Sequence, residues 1–150
     1  MLRLAPAVAL SLLVLASACR RAESDTATAM SPECVAINDA LRPHVQKLEG
    51  LQKAQPNTVP EALALMKQVV ALVDDALAQL DKIEVSDPVL TSRLKSFKDT
   101  FFILRSMGQS VLTNVSAGHI DSVLAQVEEI ERFQAQVDAA ADALDAYCEP

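Results

Sequence analysis

Residues 58–80, TVPEALALMKQVVALVDDALAQL, decide the fold class of this chain. Apolar side chains recur there in steps of three and four, which is the spacing of one face of an α-helix. They are Leu63, Met66, Val70, Val73, Leu77 and Leu80. Thr58 and Glu61 have the spacing of a capping box, in which each side chain accepts a hydrogen bond from the other residue's backbone N–H. The stretch therefore predicts an amphipathic helix with a defined start.

Three further segments carry the same helical periodicity. The first begins at Ser31 and the third at Asp87, in each case a capping residue followed by proline at the first helical position. Gly118 ends the third segment, because glycine readily adopts the left-handed conformation after a helix. Pro43 lies inside the first segment and predicts a kink or a break there. The fourth segment runs from residue 120 to Cys148.

The connections between these segments are short, which makes consecutive helices antiparallel neighbours. Alanine and leucine dominate the composition and favour helix over strand. The prediction is an all-α domain over residues 32–150, an up-down-up-down four-helix bundle closed by one disulfide.

Residues 1–18 have the pattern of a secretory signal peptide. Arg3 is followed by an apolar run over 4–15 and by the small residues ASA at 16–18. A bilayer-spanning helix needs about 20 apolar residues, so the run is too short to be one. We therefore expect export and removal of residues 1–18.

Two peptidases fit the cleavage site. Residues 15–19, LASAC, resemble the lipobox of bacterial lipoproteins, in which the cysteine becomes the lipidated first residue; this implies a lipid on Cys19 and a membrane as partner. Residues 19–31 would then form a flexible tether, and Arg20 after the cysteine favours the outer over the inner membrane. The general signal peptidase would also accept ASA, and would leave the protein unlipidated in the periplasm.

Three cysteines in an exported chain leave one thiol to be explained. Lipid on Cys19 leaves Cys34 and Cys148 as a pair, in a compartment where disulfides persist. Both fall in the inward register of their helices, at the end of the bundle where the first helix starts and the fourth ends. We therefore predict a Cys34–Cys148 disulfide.

Composition and motifs restrict the function. Without Arg3 the mature chain has 12 basic and 20 acidic residues, and this negative surface disfavours nucleic acid as a partner. The sequence has no nucleophile elbow, glycine-rich phosphate loop or metal-ligand spacing. We therefore expect neither an enzyme nor a metal site. The sequence favours a non-catalytic, lipid-anchored envelope protein, with another envelope protein as a possible partner and no cofactor.

His44 is the polar residue most relevant to a site, because it lies on the apolar stripe of the first helix. An antiparallel count from the Cys34–Cys148 end places it near Gln134 and Asp138 of the fourth helix. The three residues are predicted to form a buried polar site, with His44 paired through a hydrogen bond rather than catalytic.

The helical pattern resembles that of the soluble periplasmic b-type cytochromes, four-helix bundles that hold haem between a methionine and a histidine. The similar segments are 37–41 (INDAL), 117–120 (AGHI) and 146–147 (AY). The resemblance implies the bundle fold, and it places Cys34 and Cys148 where those proteins have the two haem ligands. An alternative function is a periplasmic carrier that binds haem or metal through His44 and a methionine.

Overall fold

A computed structural model describes residues 30–54 and 56–149; the predicted signal peptide, Cys19 and most of the tether lie outside the described residues. Within those ranges the chain is all helical, without a strand, which confirms the predicted fold class. The four helices are α1 (Pro32–Gln52), α2 (Val59–Leu80), α3 (Pro88–Ser116) and α4 (Ile120–Cys148).

The predicted start and stop signals are in place. The Ser31 hydroxyl accepts from the backbone N–H of Cys34 at 3.2 Å, and the Asp87 carboxylate accepts from that of Leu90 at 2.7 Å. Thr58 and Glu61 form the reciprocal capping box at the start of α2. Gly118, after α3, has φ +77°. These bonds satisfy N–H groups that a helix start leaves without an intrahelical partner.

Pro43 does not break α1, which continues as one helix to Gln52. The prediction of a break was wrong. Proline lacks the N–H that would bond to the carbonyl of Asp39. Both residues are exposed, so water can take over the freed carbonyl, and the loss is tolerated on this face of the helix.

Each helix packs against the next one along the chain, α1 on α2, α2 on α3 and α3 on α4. Gly108 of α3 lies against α2, and a Cβ atom added to it would lie 2.9 Å from the Val70 side chain. This close approach explains why a glycine occupies the inward stripe of α3.

Cys34 and Cys148 lie at disulfide distance, with 5.5 Å between their Cα atoms, as predicted. The contacts around them join all four helices at one end of the molecule. The Glu33 carboxylate of α1 accepts from Ser86, in the α2–α3 connection, and Arg93 of α3 donates to the carbonyl of Ala143 on α4.

The buried side chains form two clusters. The larger one surrounds the disulfide and takes residues from all four helices, including Ile37, Leu80, Phe97 and Leu144. The buried members of the smaller one come from α2, α3 and α4: Met66, Val111, Val123 and Ile130. Nearly all of the predicted inward stripe is buried or half-buried in these clusters or beside them.

Candidate functional site

His44 is buried, with 5% of its surface exposed, and both ring nitrogens are engaged. Nδ1 lies 3.0 Å from the carbonyl oxygen of Ala40, one turn earlier in α1. Nε2 lies 2.9 Å from Oδ2 of Asp75 on α2. The burial and the hydrogen-bonded state of His44 agree with the sequence-based prediction.

Both neighbours of the ring are hydrogen-bond acceptors. A ring nitrogen that carries a proton can donate to either neighbour, so both neighbours suit a donor on the ring. The hydrogen bond from His44 holds the pKa of Asp75 below its ordinary value. The Asp75 side chain is 55% exposed, so the pair joins a buried ring to a carboxylate at the surface.

The predicted partners of His44 were wrong. Gln134 donates from Nε2 to Oδ1 of Asp138 at 2.8 Å, within α4, and the histidine bonds to α2 instead. The count from the disulfide assumed that α1 runs beside α4. In the structure the neighbour of α1 along its length is α2, and α1 shares a small apolar cavity of about 20 Å³ with α2 and α3 next to His44.

Asp74, the residue before Asp75, makes a second link between helices. Its carboxylate lies 2.5 Å from Nε and 3.3 Å from Nη2 of Arg105 on α3. The consecutive aspartates of α2 therefore point to different neighbours, one to α1 and the other to α3. We call His44, Asp74, Asp75 and Arg105, together with Gln134, the polar layer.

Two members of the polar layer, Arg105 and Gln134, lie between the two apolar clusters along their helices, whereas Asp74 and Asp75 lie beside Val73 and Ala76 of the larger cluster. On α3, Arg105 falls between Phe101 of the larger cluster and Val111 of the smaller one. On α4, Gln134 falls between Ile130 of the smaller cluster and Val137 of the larger one. The Oε1 atom of Gln134 is buried and has no hydrogen-bond partner among the described residues. Buried polar groups of this kind tend to fix one register between packed helices.

The sequence reasoning missed Asp75 and Asp74. The sequence did contain a signal for them. Between Val69 and Leu80 they are the only charged residues in a stretch that is mostly apolar. Their side chains are 43% and 55% exposed, so each borders the apolar face of the helix and can reach a basic residue of a neighbouring helix. A search for cations on both neighbouring helices would have found His44 and Arg105.

The residues do not fit a haem. Both His44 nitrogens are engaged, and the cavity beside the ring, about 20 Å³, is far smaller than the several hundred Å³ of a cofactor pocket. That cavity is lined by Leu, Val, Ala and Phe side chains with His44, and by no methionine. Cys34 and Cys148, at the positions that resemble the cytochrome ligands, are bonded to each other.

A second group with unusual electrostatics is Asp145, near the end of α4. Burial raises its pKa to about 6, and the negative charges of Glu149 and Asp142 add to the effect. The carboxylate therefore opposes folding when it is ionised. It lies at the disulfide end of the molecule, three residues before Cys148.

Replacing Asp145 by asparagine should stabilise the protein at pH 7–8 by about 1 kcal/mol, because the raised pKa of about 6 makes ionisation costly and solvent screening of a half-buried group reduces that cost. The native state holds this proton more tightly than the unfolded state, so the wild type loses stability as pH rises from about 4 to about 6. The gain of Asp145→Asn should disappear near pH 4. Urea unfolding at pH 4, 6 and 8 measures it, with Glu128→Gln, at an exposed position of α4 that does not act on Asp145, as a control that keeps the wild-type pH dependence. An equal gain at every pH would contradict the assignment.

None of the described helices is long and apolar enough to cross a membrane. Among the same residues, no three His, Cys, Asp or Glu side chains come together as a metal site would require. No family model matches the chain, and no curated protein or solved structure matches it either.

Proposed function

We propose that this chain is a lipid-anchored protein of the bacterial cell envelope, and that its helical domain is a non-catalytic binding module. Lipid on Cys19 would attach it to a membrane, the outer membrane in preference to the inner. The domain would then project from the membrane surface through residues 20–31, whose r.m.s. span is roughly 20 Å for a flexible chain.

The observation that carries the proposal is the cysteine pairing. Cys34 and Cys148 lie at disulfide distance, which leaves Cys19 as the odd cysteine of the chain. A disulfide of this kind fits an oxidising compartment. The odd cysteine follows the small residues that a lipoprotein peptidase requires, so a lipid accounts for both its position and the count.

We further propose that the four helices run up-down-up-down. Contacts at both ends support this arrangement. At the disulfide end, Glu33 links the start of α1 to the α2–α3 connection. At the same end, Arg93 links the start of α3 to the end of α4. At the other end, Gln126 of α4 bonds to Asn114 and to Ser110 of α3 at 3.0 and 2.5 Å.

The polar layer supports a structural role for the charged residues in the interior. His44 and Arg105 are each held by a carboxylate of α2, and no hydroxyl or thiol nucleophile among the described residues is bonded to the histidine. A general base must have its nucleophile within hydrogen-bond reach. The layer therefore ties α1, α2 and α3 together, and the binding function would belong to the surface.

Cys19→Ser tests the anchor. In a bacterial host the wild type should be recovered with membranes and should incorporate labelled fatty acid, whereas Cys19→Ser should appear in the soluble periplasmic or culture fraction without label. Ser17→Ala is the matched control, since it keeps a small residue before the cysteine and should behave as the wild type. A wild-type protein that is soluble and has an unmodified Cys19 would contradict the proposal.

A further inference from the structure

The middle of α3 exposes two consecutive large apolar side chains. Phe102 is 56% exposed and Ile103 is 45% exposed, and they are the fifteenth and sixteenth residues of a 29-residue helix. The other large apolar side chains that are exposed in the described part of the chain, Val35, Val59 and Val89, lie within the first turns of their helices. Only the middle of α3 presents such a patch on the side of the molecule.

Phe102 lies between two open recesses. One, of about 610 Å³, is bordered by α3 and by the end of α2 with its connection, where Leu77, Ile83 and Val85 supply apolar surface. The other, of about 350 Å³, lies between α3 and α4, and Ile103 and Met107 supply its apolar surface. The same face therefore offers projecting side chains and the recesses that could receive them, which a self-complementary interface requires.

The charges at this face suit a second acidic molecule. The charged side chains that line the recesses are two lysines and three carboxylates. Lys95 pairs with Asp99 at 2.5 Å and Lys98 with Asp81 at 2.7 Å, so most of these charges cancel within one molecule. The mature chain as a whole carries eight more acidic than basic residues. Because its lysines are already paired, the Phe102 face adds little to the repulsion between two copies and offers few unpaired carboxylates to a strongly basic partner.

We propose that two copies of this chain associate side by side on one membrane through Phe102 and Ile103 of α3. The inference rests on the anchored state of the proposed function. A contact centred on two side chains is small compared with the surface that stable dimers bury, so it needs the help of the membrane. Confining both copies to a thin layer at one surface raises their local concentration above that of the same number of molecules in solution, which favours a weak contact. Anchoring at the same end, through tethers of the same length, also keeps both domains at a similar height above the membrane.

Vesicles containing a nickel-chelating lipid test the association without depending on native lipidation. Residues 20–150 with an N-terminal histidine tag would be attached to them, after the native disulfide has formed. A cysteine in place of Asp99, one turn from the patch, reports contact by oxidative cross-linking, and a cysteine in place of Gln46, on an exposed part of α1, is the control position. We expect dimers from Asp99→Cys on vesicles, few from Gln46→Cys, and few from either protein in micromolar solution.

Phe102→Ser, added to Asp99→Cys, should lower the cross-linked fraction by about tenfold, the effect of losing one aromatic residue at the centre of an interface. Val59→Ser, at a valine that is 58% exposed, is the matched control and should leave cross-linking unchanged. Equal cross-linking at Asp99→Cys and Gln46→Cys, no dimer at all, or insensitivity to Phe102→Ser would overturn the proposal and leave the face to a different kind of partner. A wild-type chain with no lipid on Cys19 would instead count against the anchor alone.

Discussion

Replacing Cys34 and Cys148 together by alanine is expected to lower the free energy of unfolding by about 5 kcal/mol. The disulfide spans 114 residues, nearly the whole folded part of the chain. In the chain-entropy description, a cross-link that closes a loop of 100 residues or more stabilises a protein by about 4.7 kcal/mol or slightly more, because it restricts the unfolded state. Small domains have only about 5–15 kcal/mol in total. The variant should therefore be close to unfolding at 37 °C.

Urea unfolding of the oxidised wild type and of the double variant measures this effect. Wild-type protein that has been unfolded, reduced and refolded in the presence of a reducing agent should be slightly more stable than the double variant, because it keeps both buried sulfur atoms. Both sulfur positions are buried, so alanine also removes apolar contacts, and the reduced protein separates that loss from the loss of the cross-link. A difference below about 1 kcal/mol between the oxidised and reduced wild type would show that the bond restricts the unfolded chain far less than its span implies.

His44→Asp is expected to destabilise the protein by about 3–5 kcal/mol, the range for a buried charge that has lost its partner. The substitution would place a carboxylate at a buried position and direct it towards Asp75, which is also negative. Neither Ala40, which offers a carbonyl, nor Asp75 can donate a hydrogen bond to it. The new carboxylate would therefore be unpaired or would have to take up a proton.

His44→Leu is the matched control for this variant. Its side chain is apolar and of comparable volume, and the exposed Asp75 can return to water, so the free energy of unfolding should change by less than about 1.5 kcal/mol. A double variant, His44→Asp with Asp75→Asn, should recover part of the loss because the like charge is gone. Thermal or urea unfolding of the three proteins at pH 7 measures the series. If His44→Asp is no less stable than His44→Leu, the histidine does not occupy the buried position described.

Local chemistry made the helices and their inward faces predictable from the sequence. Ser31, Thr58, Asp87 and Gly118 mark helix boundaries through bonds and backbone angles that depend only on nearby residues. The apolar residues of each stripe are buried because a helix places every third and fourth side chain on the same face. Cys34 and Cys148 could be paired because both lie on such stripes, at the ends of the first and last helices.

The partner of His44 could not be read from the sequence in the same way. Periodicity shows that the ring faces inwards, but which helix it meets depends on the order and offset of the packed helices. An offset of one turn moves a side chain by about 5.4 Å, enough to exchange one hydrogen-bond partner for another. Asp75 on α2 was therefore found only in the folded molecule.

The sequence by itself determined that the fold of residues 30–54 and 56–149 is all helical, where the helices start, which faces are buried and which two cysteines pair. The tertiary structure decided that α2, through Asp74 and Asp75, links α1 to α3, and that Phe102 and Ile103 remain exposed beside two recesses. The physical reason is the distance along the chain over which each kind of interaction acts. Caps and stripes depend on interactions within one or two turns, whereas ion pairs between helices and exposed apolar patches depend on how complete helices pack against each other.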